Sequence, residues 1–379
     1  MAKVVKDLSE AQADQGNTVS IVTLLDEFTQ KDKPENKNLS IFSCSARISN
    51  KFGYSLSLKH AIFARKDATD IVHMHGLWMY PNWVAGATSR KYSIPYVMSP
   101  HGMLDARSQQ MGRWKKKIAR ILFENKNIEN TACLHACSEL EAGQIRSYGY
   151  NGPIAVVSSG LTSQDMDIAS RTSKDIRLFS RNPRLTNKRK LLFFSRLHEQ
   201  KGLQFLLEAW SSVRERVADW HLVIAGRGDK NYETALKNAI RLQGLSEVVT
   251  FLDPEKAESK WNIMKSADLL VLPSYSENFG LVIAEALACG VPVITTKGTP
   301  WKDLETDNCG WWLDVGREPL EHCLNKALIL PDDQLVAMGQ NGRRLIERKY
   351  LWEINAKHML EVYRWAIGGG SKPDCVRMD

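Results

Sequence analysis

No stretch of the 379-residue chain holds the roughly 18 consecutive apolar residues that a membrane-spanning helix needs. The opening MAKVVKDLSEAQADQ has no apolar segment of the kind that directs secretion, so a protein kept in the cytosol is expected. Paired CxxC spacing is absent too. The seven cysteines, at 44, 133, 137, 289, 309, 323 and 375, are odd in number and scattered, which fits neither a disulfide framework nor a zinc site. No repeat of about 20 to 50 residues recurs, and GGG at 368–370 is the one low-complexity patch. Helix-turn-helix, zinc-finger and RNP-type signatures are missing beside the two basic clusters, RWKKKIAR (113–120) and NPRLTNKRK (182–190), so no specific nucleic-acid partner is indicated.

What is present is an apolar fraction of 43%, enough at this length for about two domains with large cores. The balance of 51 Lys+Arg against 43 Asp+Glu leaves +8, which suits phosphate-bearing small molecules, anionic lipid or nucleic acid. Short apolar runs alternate with helical patterns: VSIVTLL (19–25), DIVHMHG (70–76), IPYVMSP (94–100), TACLHACS (131–138) and PIAVVSSG (153–160). Such alternation predicts an α/β fold built from βαβ units. Residues 162–189 are polar and read as a linker and surface segment. Alternation then resumes with strands at KLLFFSRL (190–197), WHLVIAGRG (220–228), VVTFLD (248–253), DLLVLPS (268–274) and PVITTKG (292–298). Helices are expected at 203–217, 230–243, 258–266, 281–289 and, last, 353–366. The organisation expected is a first domain at 1–180, a second at 188–350 and a C-terminal helix within 351–367.

Chemistry concentrates in SENFGLVIAE (276–285). The spacing puts Glu277 in a loop after a strand and Glu285 inside the following helix, expected to start near Phe279; eight residues is about 2.2 helical turns. The N–H groups of Phe279, Gly280 and Leu281 would sit at the positive end of that helix, and Gly280 leaves room for a phosphate. A phosphate cradle between two carboxylates matches a ligand that is anionic in the middle and hydroxyl-rich at both ends, as a nucleotide sugar is. Arg196 and Lys201, in FSRLHEQKG, supply cations after the first strand of the second half, and no metal or other cofactor is then required. Each residue has a plainer reading: Glu277 as dipole compensation at a helix start, Arg196 and Lys201 as solvated side chains. Glu285 is harder to explain that way, since an unpaired buried acid is costly.

SRLHEQKG, followed about 75 residues later by SENFGLVIAEALACGVPVI, resembles the donor domain of a GT-B glycosyltransferase of family GT4, the retaining group with an E-x7-E motif. HMHGLW, SPHGML and LHACSE resemble first-domain segments of that family; VIAGRGD, TFLDPE and CGWWLDVG resemble second-domain ones. The resemblance implies two Rossmann-like domains facing across a cleft, with the C-terminal helix crossing back to the first. It also implies retaining, metal-independent sugar transfer from a nucleotide donor. By position, Glu277 and Asn278 would meet the donor sugar, the Phe279, Gly280 and Leu281 amides sugar and phosphate, and Glu285 the ribose. Arg196 and Lys201 would neutralise the diphosphate, and Gly226 with the Leu252–Asp253 turn would border the base. His101, in SPHGML, matches the histidine that approaches the transferred sugar. Without the resemblance His101, like His75, reads as a strand-end imidazole satisfied by backbone. A UDP-glucose donor and a saccharide or glycolipid acceptor in surface polysaccharide assembly are expected. A noncatalytic sugar-nucleotide sensor and a basic nucleic-acid binder are the alternatives.

Family members open with a strand and a Gly-Gly loop before the helix that MAKVVKDLSEAQADQ resembles, so that segment is expected to be missing. Its loss should leave apolar neighbours and unpaired backbone groups, and a form that binds donor yet transfers poorly. The segment MGRWKKKIARILFENKNI (111–128) mixes cations with Trp114, Ile118, Ile121, Leu122 and Phe123. It reads either as a helix on anionic membrane, making the protein peripheral on the inner face, or as a surface helix packing its apolar stripe inward.

Overall fold

The computed structural model describes residues 1–25, 36–46, 52–110, 112–174, 183–253 and 260–378. The chain divides into two compact units, Met1–Ser159 with Trp352–Asp379, and Gly160–Leu351.

The first unit holds strands β1 (Val19–Leu24), β2 (Leu39–Cys44), β3 (Val72–His75), β4 (Tyr96–Ser99), β5 (Cys133–Ala136) and β6 (Ile154–Val156). It also takes in the final two-residue strand, Val376–Arg377, which pairs antiparallel with β6. β3, β4, β5 and β6 are parallel neighbours in one sheet, while β1 and β2 pair in register as a separate two-stranded sheet. β4 and β5 are wholly buried, as strands covered on both faces are. β1 and β3, each paired on one side only among the described residues, leave Ile21, Val22, Leu24 and Val72 half-buried. β2 was not foreseen; LSIFSC is short and only its ends are buried.

The C-terminal helix, Trp352–Ala366, belongs to this unit. Trp352, Ala356, Met359 and Val362, at helical spacing, share a core with Leu8, Val97, Cys133 and Ala155.

The second unit is a six-stranded parallel sheet built from β7 (Arg189–Phe194), β8 (Trp220–Ala225), β9 (Val249–Leu252), β10 (Leu269–Leu272), β11 (Val293–Thr296) and β12 (Gly310–Leu313). Its order is β12-β11-β10-β7-β8-β9. β8 is buried along its whole length, and the helix Leu203–Val213 that crosses from β7 to β8 buries Leu203, Phe205, Leu206, Leu207 and Trp210.

The boundary differs from the expectation. Residues 162–189 are not simply a linker: Ser163–Arg171 is a helix, started by a capping box between Thr162 and Asp165. It buries Met166 and Ala169 and packs on the helix Leu281–Ala288, so the second unit starts at Gly160 rather than 188. Three apolar positions in nine residues, Met166, Ile168 and Ala169, left too little period to read. Of the helix expected at 258–266, Lys260–Lys265 is helical; 254–259 lie outside the described residues.

Candidate functional site

In the second unit the chain runs from β7 outward to β8 and β9, then returns with β10 on the other side of β7. Between the carboxyl ends of β7 and β10 the direction of connection reverses, which is where open parallel sheets form a ligand crevice. Two loops meet there. The loop after β7 closes a 3-10 turn, Glu199–Lys201, on Gly202, whose φ is 71°. A Cβ on Gly202 would stand 2.1 Å from the Pro273 carbonyl oxygen, so glycine alone lets this turn touch the end of β10. Tyr275 N–H donates to the Gln200 carbonyl at 2.9 Å across the same junction.

This contact sets Lys201 Nζ against the Glu277 carboxylate in a close, largely buried ion pair. Ser274 Oγ donates to the same carboxylate oxygen at 2.8 Å, and Glu277 N–H is held by the Gly298 carbonyl at 2.8 Å. The two groups expected on different parts of one ligand therefore hold each other. A hydroxyl-bearing ligand would compete for a carboxylate already oriented by two donors.

The helix carrying Glu285 runs from Leu281 to Ala288, within the expected 281–289 and two residues past the start near Phe279, because Gly280 takes a left-handed φ of 82° and acts as its N-cap. Among the described residues no acceptor meets the N–H groups of Phe279, Gly280 or Leu281, leaving three donors at the positive end of the helix. The Phe279 ring is an anchor: it packs 5.1 Å from Trp301, whose Nε1 donates to the Phe279 carbonyl at 2.6 Å. Asn278 is half-buried in the same loop.

Glu285 is 8% exposed and forms a close ion pair with Lys260, whose Nζ also lies 4.7 Å from the Trp261 ring. A cavity of ≈ 380 Å³ is lined by Ser195, Arg196, Gly226, Arg227, Lys260 and Glu285, among others. Three cations and one carboxylate thus face one space. Lys260 and Arg227 were not foreseen. A buried acid at 285 signals a needed cation, but which one depends on the packing of the helix Lys260–Lys265. Arg227 comes two residues after the end of β8, in the AGRGD turn. A larger cavity, ≈ 890 Å³, shares Arg196 and Arg227 and reaches His198, Glu199 and Tyr232.

Arg196, Gly226 and Glu285 are therefore brought together, with the Lys201–Glu277 pair on the neighbouring loops. Gly226 is required by the backbone: a Cβ there would lie 1.9 Å from the Ser195 carbonyl oxygen. Leu252 and Asp253 fall outside the lining of the ≈ 380 Å³ cavity; Asp253 accepts from Arg227, which does line it, at 3.1 and 3.2 Å.

His101 lies in the first unit, just past β4, with an uncommon φ of 52°. Its Nε2 is 3.0 Å from His75 Nδ1, and the rings stack at 5.2 Å. His75 in turn lies 4.1 Å from the His73 ring. Ser99 Oγ stands 2.6 Å from His73 Nε2 and 2.6 Å from His135 Nδ1, and Tyr363 Oη is 2.5 Å from His73 Nδ1. Burial, with like-charged neighbours, brings His101 down to about 3; burial brings His135 to about 4; His73 and His75 are also well below the ordinary imidazole value. His101 is consequently neutral at neutral pH, a hydrogen-bonding group and not a standing cation. His73 and His135 were missed, although the H-x-H spacing of β3 places His73 and His75 on one face.

Residues 175–345 match the model of the glycosyl transferases group 1, and residues 1–164 that of Glycosyltransferase Family 4. The chain belongs to the GT4 glycosyltransferases. The D-inositol 3-phosphate glycosyltransferase of Salinispora tropica is 26% identical over 79% of this chain, which spans 64% of that relative's length. Among solved structures, sucrose-phosphate synthase from Thermosynechococcus elongatus superposes with a TM-score of 0.72 at 18% identity, covering 97% of this chain and 93% of that one. Anabaena Alr3699/HepE in complex with UDP-glucose gives 0.72 at 17%, covering 95% and 94%. As in those neighbours, the GT4 fold here is GT-B, made of two Rossmann-like domains.

Proposed function

We propose that the protein transfers a hexose from a nucleotide diphosphate sugar to a saccharide or lipid-linked saccharide, with retention at the anomeric carbon and without a metal ion. The observation that carries this reading is the set at the β7–β10 switch point. There Arg196, the Lys201–Glu277 pair, the helix-start amides and the buried Glu285–Lys260 pair gather within one unit.

In this reading Glu285 accepts from the ribose hydroxyls and Glu277 from hydroxyls of the transferred sugar. Lys201 and Arg196 meet the diphosphate, where negative charge grows as the glycosidic C–O bond breaks. The free N–H groups of Phe279, Gly280 and Leu281 add donors that need no reorganisation. Neutral His101 is suited to hydrogen-bond a sugar hydroxyl. The leaving phosphate oxygen takes the acceptor proton on the same face, which gives retention without a protein nucleophile. A UDP-glucose donor is favoured because the neighbour Alr3699/HepE is described with UDP-glucose bound. Surface polysaccharide assembly, with the enzyme peripheral on the inner face of the membrane, is the setting proposed. No helix among the described residues is long and apolar enough to cross a membrane.

The test is turnover with UDP, GDP and ADP sugars as donors, with the anomeric configuration of the product read by NMR and the rate compared with and without chelator. Transfer with retention, indifferent to chelator, is expected; inversion, or a rate abolished by chelator, contradicts the mechanism. Glu277→Gln must abolish transfer, whereas a sensor would keep its partner binding. The nucleic-acid reading loses support because cations of the second basic cluster are taken up: Arg184 by Glu247 at 2.7 Å and Arg189 by Asp332 at 2.9 Å.

A further inference from the structure

The first basic cluster is arranged differently. Helix Arg113–Ala119 continues through a π turn, Arg120–Glu124, into helix Asn125–Glu129. One side is buried in the first unit through Ala119, Phe123, Asn127 and Ile128, with Phe123 stacked 5.5 Å from Trp83 and Asn127 Oδ1 accepting from Arg90 at 2.6 Å. Glu124 also points inward, where Trp78 N–H donates to it at 2.5 Å. The other side carries Trp114, Ile118, Ile121 and Leu122, which are 69%, 58%, 69% and 61% exposed. Their spacing, i, i+4, i+7 and i+8, makes one continuous stripe. Scattered exposed apolar residues are ordinary, but four large ones aligned on one helix mark an interaction surface.

Charge decides what the surface fits. Arg113, Lys117 and Arg120 border the stripe at i, i+4 and i+7, and Lys115 is exposed beside it. Among the described residues no carboxylate pairs with Arg113, Lys115 or Lys117, and Arg113 and Lys117 each lie 5.7 Å from the Trp114 ring. An apolar stripe with an indole, edged by unpaired cations and lacking acids, matches the boundary between lipid phosphates and acyl chains.

We propose that this face docks on an anionic lipid bilayer, with the stripe entering the headgroup–acyl boundary and the cations on lipid phosphates. The proposal rests on the peripheral location given above and adds the surface that makes it. It is read without donor or acceptor, so its failure leaves sugar transfer standing, and the failure of transfer leaves it standing.

The experiment is sedimentation of the full chain with vesicles of phosphatidylcholine alone or mixed with phosphatidylglycerol. The wild type is expected to sediment with the mixed vesicles and not the neutral ones. Lys115→Gln with Lys117→Gln should weaken this about fivefold per charge removed. Ile118→Ser with Ile121→Ser should weaken it about tenfold or more. All four side chains are exposed, so melting curves are expected to match the wild type. Equal binding to both vesicle types, or variants that bind as the wild type does, would overturn the proposal. So would a dimer that forms without vesicles and is dissolved by the same substitutions, since a second copy would then be the occupant.

Discussion

Acid should destabilise the first unit through its histidines. An imidazole whose folded value lies below its unfolded one costs nothing while both forms are neutral. As pH falls through the unfolded value, near 6.5, the unfolded chain takes up a proton that the fold refuses. For His135, held at about 4, the loss on going from neutral pH to about pH 5 is about 2 kcal/mol. His101, at about 3, adds a similar amount, and His73 and His75 shift the same way. Acting independently, His135 and His101 would remove about 4 kcal/mol, against a whole-domain stability of about 5 to 15 kcal/mol. Hydrogen exchange of β4 and β5 reports the opening free energy of this core directly. Protection should fall steeply between about pH 7 and pH 5, and His135→Gln should reduce that fall by about 2 kcal/mol. A protection profile that is flat across the interval, or the same in wild type and variant, would refute the argument that these imidazoles are buried neutral.

Lys201→Met should lower turnover by about 100-fold or more, because it removes a cation where charge develops and leaves Glu277 without its ion-pair partner; steady-state rates check this, and circular dichroism confirms the fold. Lys260→Met should weaken UDP binding about tenfold in a wild-type background and much less in Glu285→Gln, since Lys260 acts by orienting that carboxylate; calorimetric titration of the four proteins gives the coupling. Gly226→Ala should destabilise the second unit by about 3 kcal/mol or more, because its Cβ would lie 1.9 Å from the Ser195 carbonyl oxygen; the melting temperature measures it.

Strands such as β8 and β10 were legible because parallel strands covered on both faces read as unbroken apolar runs. The helix Leu281–Ala288 was legible for the same reason, and the buried Glu285 stood out against it. Its partner was not: Lys260 is 25 residues away and meets Glu285 only once two helices pack. Nor could local spacing show that Lys201 would close on Glu277, since that follows from Gly202 touching Pro273. The segment 113–128 displayed its apolar residues in sequence, but which of them faced inward depended on the fit of Phe123 against Trp83. The helix Ser163–Arg171 was hidden by its polar composition, and with it the start of the second unit.

A crystal structure with bound UDP tests the central claim most directly. It should show the ribose hydroxyls on Glu285 and the diphosphate against Arg196, with Lys201 drawn from Glu277 toward phosphate oxygen. Nucleotide bound away from the ends of β7 and β10, or with those side chains unmoved and untouched, would contradict it.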